Sequence, residues 1–282
     1  MNRPLLFPAV ILSLLILSAA ACKKSTPPPA TNQAANPTAS PTPNFEAALQ
    51  EMAKVDQESI RQNPNDATGY YNLANTYFSA GKFPEAVEQY QHAIRLAPKD
   101  PAARYELGQS YARMGRYEEA FAAFNEALKL NPKNADAYKE MGDAYAKQER
   151  TKEALDAYRK AVSLKPDHAE AYFNLGNLYT KLEQPQEAVK AFQQAARHNP
   201  KDPDAFFNLG NSYSRLKQFE EALKAYQEAV KLRPDDGEAR VRLAVLYLET
   251  GKREAAEAEY NKLKSSNPQL AAMLDERMKG QK

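Results

Sequence analysis

Three hydropathy regimes succeed one another along the chain. Leu5 to Leu17 is a predominantly apolar run of 13 residues, whereas Ser25 to Asn44 holds six prolines and no large hydrophobe. From Phe45 onward apolar side chains return at helical spacing, first at Phe45, Leu49, Met52 and Ile60. From residue 67 the pattern becomes periodic and recurs every 34 residues without an insertion.

Seven prolines keep that period: Pro64, Pro98, Pro132, Pro166, Pro200, Pro234 and Pro268. Units are numbered from Ala67, Pro101, Ala135, Ala169, Pro203 and Gly237. Position 8 is then small (Ala74, Gly108, Gly142, Gly176, Gly210, Ala244) and position 11 always tyrosine (Tyr77, Tyr111, Tyr145, Tyr179, Tyr213, Tyr247). Position 20 is always alanine (Ala86, Ala120, Ala154, Ala188, Ala222, Ala256). Position 24 is always a ring (Tyr90, Phe124, Tyr158, Phe192, Tyr226, Tyr260). Each unit predicts two helices of about 14 residues joined by a short turn. The small residues at positions 8 and 20 let the pair approach, and rings at positions 4, 11 and 24 fill the remaining volume. The position-32 proline stops the second helix, because the residue before a proline is pushed out of the helical region. Asp100 and Asp202 precede first-turn prolines as capping carboxylates for the helix that follows. A single pair cannot bury its own apolar face, so neighbours must stack.

This pattern resembles the tetratricopeptide repeat, with six repeats over residues 67–270: 67–100, 101–134, 135–168, 169–202, 203–236 and 237–270. The resemblance implies an all-α fold, a right-handed superhelix of helical hairpins (an α-solenoid) that acts as a protein-binding scaffold. The segment 45–66 predicts an N-terminal capping helix, since it ends at Asn63-Pro64 as a second helix would. The sixth repeat departs from the pattern at Arg240, where a ring is expected, and at Leu263, where a small residue is expected. The tail 271–282 predicts a short closing helix within Leu270 to Lys279.

Residues 1–21 read as a signal peptide: Arg3 at the start, the apolar run, and Ala19-Ala20-Ala21 as a small-residue exit. The run is shorter than the ~20 residues of a membrane span. Cys22, the one cysteine of the chain, follows directly. The arrangement resembles a bacterial lipoprotein signal, which implies that Cys22 is lipidated and anchors the chain to a membrane. That signal usually has leucine where Ala19 stands, and ordinary cleavage leaving a free thiol is the alternative. With Lys23 after the cysteine, the family's sorting rule implies the outer membrane, facing the periplasm, in a host with two membranes. Without the anchor the chain would be periplasmic or extracellular. Residues 22–44 then form the anchor cysteine and a disordered linker, about 60 Å long if extended.

In this family the inner groove is lined by the first helix of each hairpin, where positions 2, 5, 6, 9, 12 and 13 share one stripe. Three repeats carry paired asparagines beside a ring: Tyr71 with Asn72 and Asn75, Phe173 with Asn174 and Asn177, Phe207 with Asn208 and Asn211. The second repeat has Tyr105 with Glu106 and Gln109, and the third has Lys139 with Glu140 and Asp143. An amide both donates and accepts, so such a row can hold the backbone of an extended peptide without reading its sequence. It is similar to the asparagine ladder of the O-linked N-acetylglucosamine transferase superhelix and to the grooves of chaperone adaptors. Asparagine is also frequent in the repeat's consensus, so a purely structural origin stays open. Position 13 is basic at Arg113, Lys147, Lys181 and Arg215. Position 2 is acidic at Asp136, Glu170, Asp204 and Glu238. A charge-polarised groove and simple helix-dipole compensation both account for this.

Composition narrows the function class. Lys and Arg number 38 against 36 Asp and Glu, for a net charge of +2, which lacks the basic excess of a nucleic-acid binder. One cysteine allows no intramolecular disulfide, and His92, His168 and His198 show no zinc-like spacing, so no metal and no cofactor is expected. No nucleophile–base pair or phosphate-cradling loop appears, and the repeats occupy nearly all of the ordered chain. The chain therefore reads as no enzyme, with no catalytic residue and no small-molecule substrate. The expected function is an adaptor of the cell envelope that binds a peptide or helix of a partner in its groove. The alternative is an assembly factor or pilotin for an outer-membrane secretion or type IV pilus complex, similar to the six-repeat lipoproteins of pilus biogenesis.

Overall fold

The computed structural model describes residues 43–280, with side chains from Phe45 onward. The predicted leader, Cys22 and the proline-rich stretch up to residue 42 lie outside the described residues. The body is the compact unit Glu46–Lys282. Helix α1 (Pro43–Gln62) leads. Six hairpins follow: α2 (Ala67–Ser79) with α3 (Phe83–Leu96), α4 (Pro101–Arg113) with α5 (Tyr117–Leu130), and α6 (Ala135–Lys147) with α7 (Thr151–Leu164). The series continues with α8 (Ala169–Lys181) and α9 (Pro185–His198), α10 (Pro203–Arg215) and α11 (Phe219–Leu232), then α12 (Gly237–Glu249) and α13 (Arg253–Ser266). Helix α14 (Pro268–Lys279) closes the stack against α12 and α13. The fold is all-α, each hairpin packing on the next.

Side-chain caps account for the starts of six helices. Asp100 and Asp202 accept from the backbone amides of Ala102 and Asp204 at 2.8 and 3.0 Å, ahead of Pro101 and Pro203. Asp66, Asn134, Asp236 and Asn267 cap α2, α6, α12 and α14 in the same way. Such a cap contributes about 1 kcal/mol.

Within a hairpin, the position-24 ring lies on the small residue at position 8. A Cβ built on Gly142 would stand 2.5 Å from the Tyr158 ring, and one on Gly176 would stand 2.6 Å from Phe192. Tyr90, Phe124 and Phe192 are fully buried there. Between hairpins a second contact repeats. The residue at position 25 donates to the position-11 tyrosine hydroxyl of the next unit. Gln91 reaches Tyr111 at 3.0 Å, Arg159 reaches Tyr179 at 3.1 Å and Gln227 reaches Tyr247 at 2.7 Å. Gln57 on α1 makes the same bond to Tyr77 at 3.2 Å, so α1 occupies the register of a second helix without a first. At the junction of α5 and α6 position 25 is Asn125, one methylene shorter than glutamine, and it makes no hydrogen bond to Tyr145. Tyr145 is held there instead by Phe121, stacked at 4.2 Å, and by Arg150, 4.6 Å above its ring.

One expectation fails. Rings fill position 4 at Tyr70, Tyr138, Tyr172 and Phe206, but the second repeat carries Arg104 there, as the sixth carries Arg240. Arg240 is buried and pairs with Glu259 and the Pro234 carbonyl, while Arg104 lies 3.4 Å from Glu126. An arginine stem lines the slot that a ring would fill without closing it, and its head then needs a carboxylate.

The turn inside every hairpin passes through the left-handed region at position 15. Gly81, Gly115 and Gly251 occupy it in three hairpins, and Glu149 (φ 59°), Glu183 (φ 56°) and Lys217 (φ 59°) in the others. A side chain is strained there by about 1–2 kcal/mol, partly offset by the greater unfolded-state freedom of glycine. Replacing all three with glycine is expected to raise stability by about 1–2 kcal/mol in urea titrations, with the denaturant slope unchanged.

Candidate functional site

Across the stack α4 approaches α6, and α8 approaches α10, so first helices neighbour first helices along one side. That side carries the residues singled out from the sequence. Its floor is a column of half-buried rings at position 5, each leaning on the position-24 ring of its own hairpin. Tyr71 meets Tyr90 at 5.9 Å, Tyr105 meets Phe124 at 6.0 Å, Phe173 meets Phe192 at 5.7 Å and Phe207 meets Tyr226 at 5.9 Å. Edge-on contacts at Tyr71 and Phe173 and tilted ones at Tyr105 and Phe207 fix the orientation of the inner ring while leaving part of it exposed.

The asparagines, alike in sequence, separate into two kinds in the structure. Asn75 accepts from the Tyr90 hydroxyl at 2.6 Å and Asn211 from the Tyr226 hydroxyl at 2.7 Å, as Asp143 does from Tyr158 at 2.6 Å. Where position 24 is phenylalanine, no hydroxyl needs an acceptor. Gln109 in the second repeat turns to the Tyr105 hydroxyl at 2.7 Å, and Asn177 in the fourth is exposed with no hydrogen bond among the described residues. In the first, third and fifth repeats position 9 thus serves the hydroxyl of position 24, whereas in the sixth Val245 faces Tyr260 and has no acceptor to offer. At position 6, Asn174 donates to Asp143 at 2.8 Å and Asn208 to the Asp204 carbonyl at 3.0 Å, while Asn72 is exposed. Asn72 and Asn177 therefore present their amides whole, and the other four present what their internal bonds leave over.

In the third repeat Lys139 takes the place of the ring and is buried. Its Nζ lies 2.7 Å from Glu140, 3.1 Å from Glu170 on α8 and 3.4 Å from Asp143. Burial alone would lower its pKa, but the charges of Glu140, Asp143 and Glu170 outweigh it and hold the ammonium protonated. Burial in turn raises the Asp143 carboxyl against the pull of Lys139. Glu106, one repeat earlier, has no ion-pair partner among the described residues. Burial first, and the charge of Glu140 second, push it up to about 7. Spread over three helices in sequence, Glu106, Glu140, Asp143 and Glu170 form one negative patch around a single lysine in space.

The two charged rims differ. The acids of position 2 are engaged: Glu170 with Lys139, Asp204 with Arg233 at 2.9 Å, Asp136 within 3.1 Å of His168, and Glu238 with Arg242 at 3.5 Å. The bases of position 13 are exposed, and among the described residues Arg113, Lys147 and Arg215 have no carboxylate partner. Lys181 lies 3.8 Å from Glu149. The open charge of this surface is positive at one rim and negative at its centre.

A family model described as the C-terminal domain of cilia and flagella-associated protein 70 matches residues 24–278. Among solved structures, YrrB, described as a TPR protein with an unusual peptide-binding site, is 29% identical with a TM-score of 0.52. The match covers 71% of this chain and 99% of YrrB. PilF of Pseudomonas aeruginosa is 18% identical with a TM-score of 0.62, covering 77% of this chain and 97% of its own. The C-terminal part of a TPR repeat-containing protein from Cytophaga hutchinsonii is 15% identical with a TM-score of 0.66, covering 78% and 91%. A search among curated proteins finds no match.

The Glu106 shift has a sign. Its folded pKa of about 7 lies above the ordinary 4.5, so the folded state holds the extra proton between those values and loses stability as pH rises through 7. Glu106→Gln is therefore expected to be more stable than the parent at pH 8, by on the order of 1–2 kcal/mol, and to converge with it near pH 4.5. Urea titrations at both pH values check this.

Proposed function

This chain belongs to the tetratricopeptide-repeat family, and on that premise we propose that it is an adaptor of the cell envelope holding an extended segment of a partner protein along its position-5 ring column. Members of the family are scaffolds for protein–protein interaction and are typically non-catalytic. The observation that carries the groove reading is the row of half-buried rings, Tyr71, Tyr105, Phe173 and Phe207. Each is partly exposed, and exposed amides stand beside them at Asn72 and Asn177. Rings supply sockets for alternate side chains, and amides pair with backbone N–H and C=O. The uncompensated bases Arg113, Lys147 and Arg215, with Lys181 beside them, would draw acidic groups of the segment to one rim. The patch around Glu106 and Glu140 would admit a cationic side chain midway. YrrB, at 29% identity, is itself described by a peptide-binding site, which supports the class of partner. The likeness to PilF bears on the fold alone, so the pilotin reading has no separate support here.

Replacing Asn174, Asn177, Asn208 and Asn211 with alanine should weaken binding of a partner recovered by crosslinking by about tenfold or more, or ~1.4 kcal/mol. Part of any stability loss would come from the orphaned Tyr226 hydroxyl, so Tyr226→Phe is added to restore folding. Unchanged affinity in that background would remove the ladder from the mechanism.

The envelope location rests on the leader-like residues 1–21 and on Cys22 directly after them. Cys22→Ser is expected to move the chain from the membrane to the soluble fraction of lysed cells. Retention in the membrane fraction would exclude the lipid anchor.

A further inference from the structure

Outside the groove, the two repeats that lack a position-4 ring share a second feature. Crevices of about 280 and 370 Å³ open at Arg104 and at Arg240. They are the same place four repeats apart. Gln91, Ile94 and Leu107 line the first, and Gln227, Val230 and Leu243 line the second in identical register. In other hairpins a ring occupies this position: Tyr70 stacks on His92 at 5.1 Å and Tyr172 on His198 at 6.0 Å. The frame is thus shaped for an aromatic side chain, and in two places the chain does not supply it.

We propose that these two crevices are docking slots for aromatic side chains of a partner protein, separate from the groove. Each slot keeps an arginine nearly out of solvent, with 13% of the Arg104 side chain and 9% of the Arg240 side chain exposed. A desolvated guanidinium attracts the face of a ring more strongly than a hydrated one does. Cations also outnumber carboxylates in both linings: Arg95 and Arg104 against Glu126, then Lys231, Arg240 and Lys262 against Glu259. The preferred occupant is therefore a phenylalanine or tyrosine flanked by acidic residues. The scaffold would hold one partner along its ring column and another at these slots.

The test restores the missing rings. Arg104→Tyr rebuilds the first slot on the pattern of Tyr138 and Tyr172. Arg240→Tyr with Glu259→Ala rebuilds the second, matching the alanines at Ala157 and Ala191 and leaving no carboxylate stranded. The probes are acetyl-Asp-Phe-Asp-amide and acetyl-Asp-Ala-Asp-amide, titrated into the full chain while methyl resonances of Ile94, Leu107, Val230 and Leu243 are followed. The phenylalanine peptide should shift these methyls saturably, with the alanine peptide about tenfold weaker or more. Each ring-restored variant should lose the response at its own slot only, and Asn177→Ala should leave both intact. Equal responses to the two peptides, responses that survive ring restoration, or none at all would overturn the proposal. Sedimentation adds one further outcome: self-association of the parent that the doubly restored variant lacks would assign the slots to a second copy, not a foreign partner.

Discussion

The contact on which the rest of this molecule depends is that of the position-24 ring with the small residue at position 8. A Cβ at Gly142 or Gly176 would sit inside the van der Waals shell of the facing ring, at 2.5 and 2.6 Å. That closeness sets the spacing of the two helices in a hairpin. Interiors at crystal-like density respond to a single methylene, so the spacing is hard to vary. It also decides what faces outward. The buried ring is the surface on which each position-5 ring rests, and its hydroxyl, where present, needs an acceptor on the first helix. Groove chemistry is thus partly dictated from beneath.

This explains which parts of the structure were legible in the sequence. The period, the caps at Asp100 and Asp202 and the hairpin pairing follow from local rules, and each repeat restates them. Residues whose role depends on a second, distant residue were harder. Asn75, Asn177 and Asn211 occupy the same register, yet two of them satisfy buried hydroxyls and one does not, because Phe192 replaces a tyrosine. Arg104 is hard to read for a related reason: one arginine in an exposed-looking stretch is ordinary, and only its slot between two second helices gives it meaning. The patch around Lys139 joins α4, α6 and α8, so no window along the chain contains it.

Charge on the ring-column side shows how dipole compensation and partner binding can be separated. Acids at helix starts and bases at helix ends are favoured by the backbone whatever the function. A helix dipole, however, does not require that one set be ion-paired and the other open. Here Glu170 and Asp204 find cations on neighbouring elements and Glu238 finds Arg242 on its own helix, while Arg113, Lys147 and Arg215 have no carboxylate partner among the described residues. An ion-paired acid adds less to a long-range field than an exposed, uncompensated base does. The asymmetry leaves a positive rim beside a negative centre, a pattern that would fix the direction of a bound segment as well as its presence.

Repetition itself provides the control for reading these departures. In a solenoid each unit contacts mainly its neighbours, so a substitution in one repeat can be compared with the same position in five others under nearly constant packing. By that standard, Lys139 in the ring column and Arg104 and Arg240 in ring slots are the three places where a cation has taken the place of a ring; Val241, in the ring column of the sixth repeat, is an apolar replacement. Each of the three buries a cation, which costs more than the ring it displaces unless carboxylates gather around it. Glu140 and Glu170 do so at Lys139, and Glu259 at Arg240. Arg104 has only Glu126 at 3.4 Å, half of whose side chain is exposed. Of the three departures it is the least compensated from within, and so the one where an external ring has most to add.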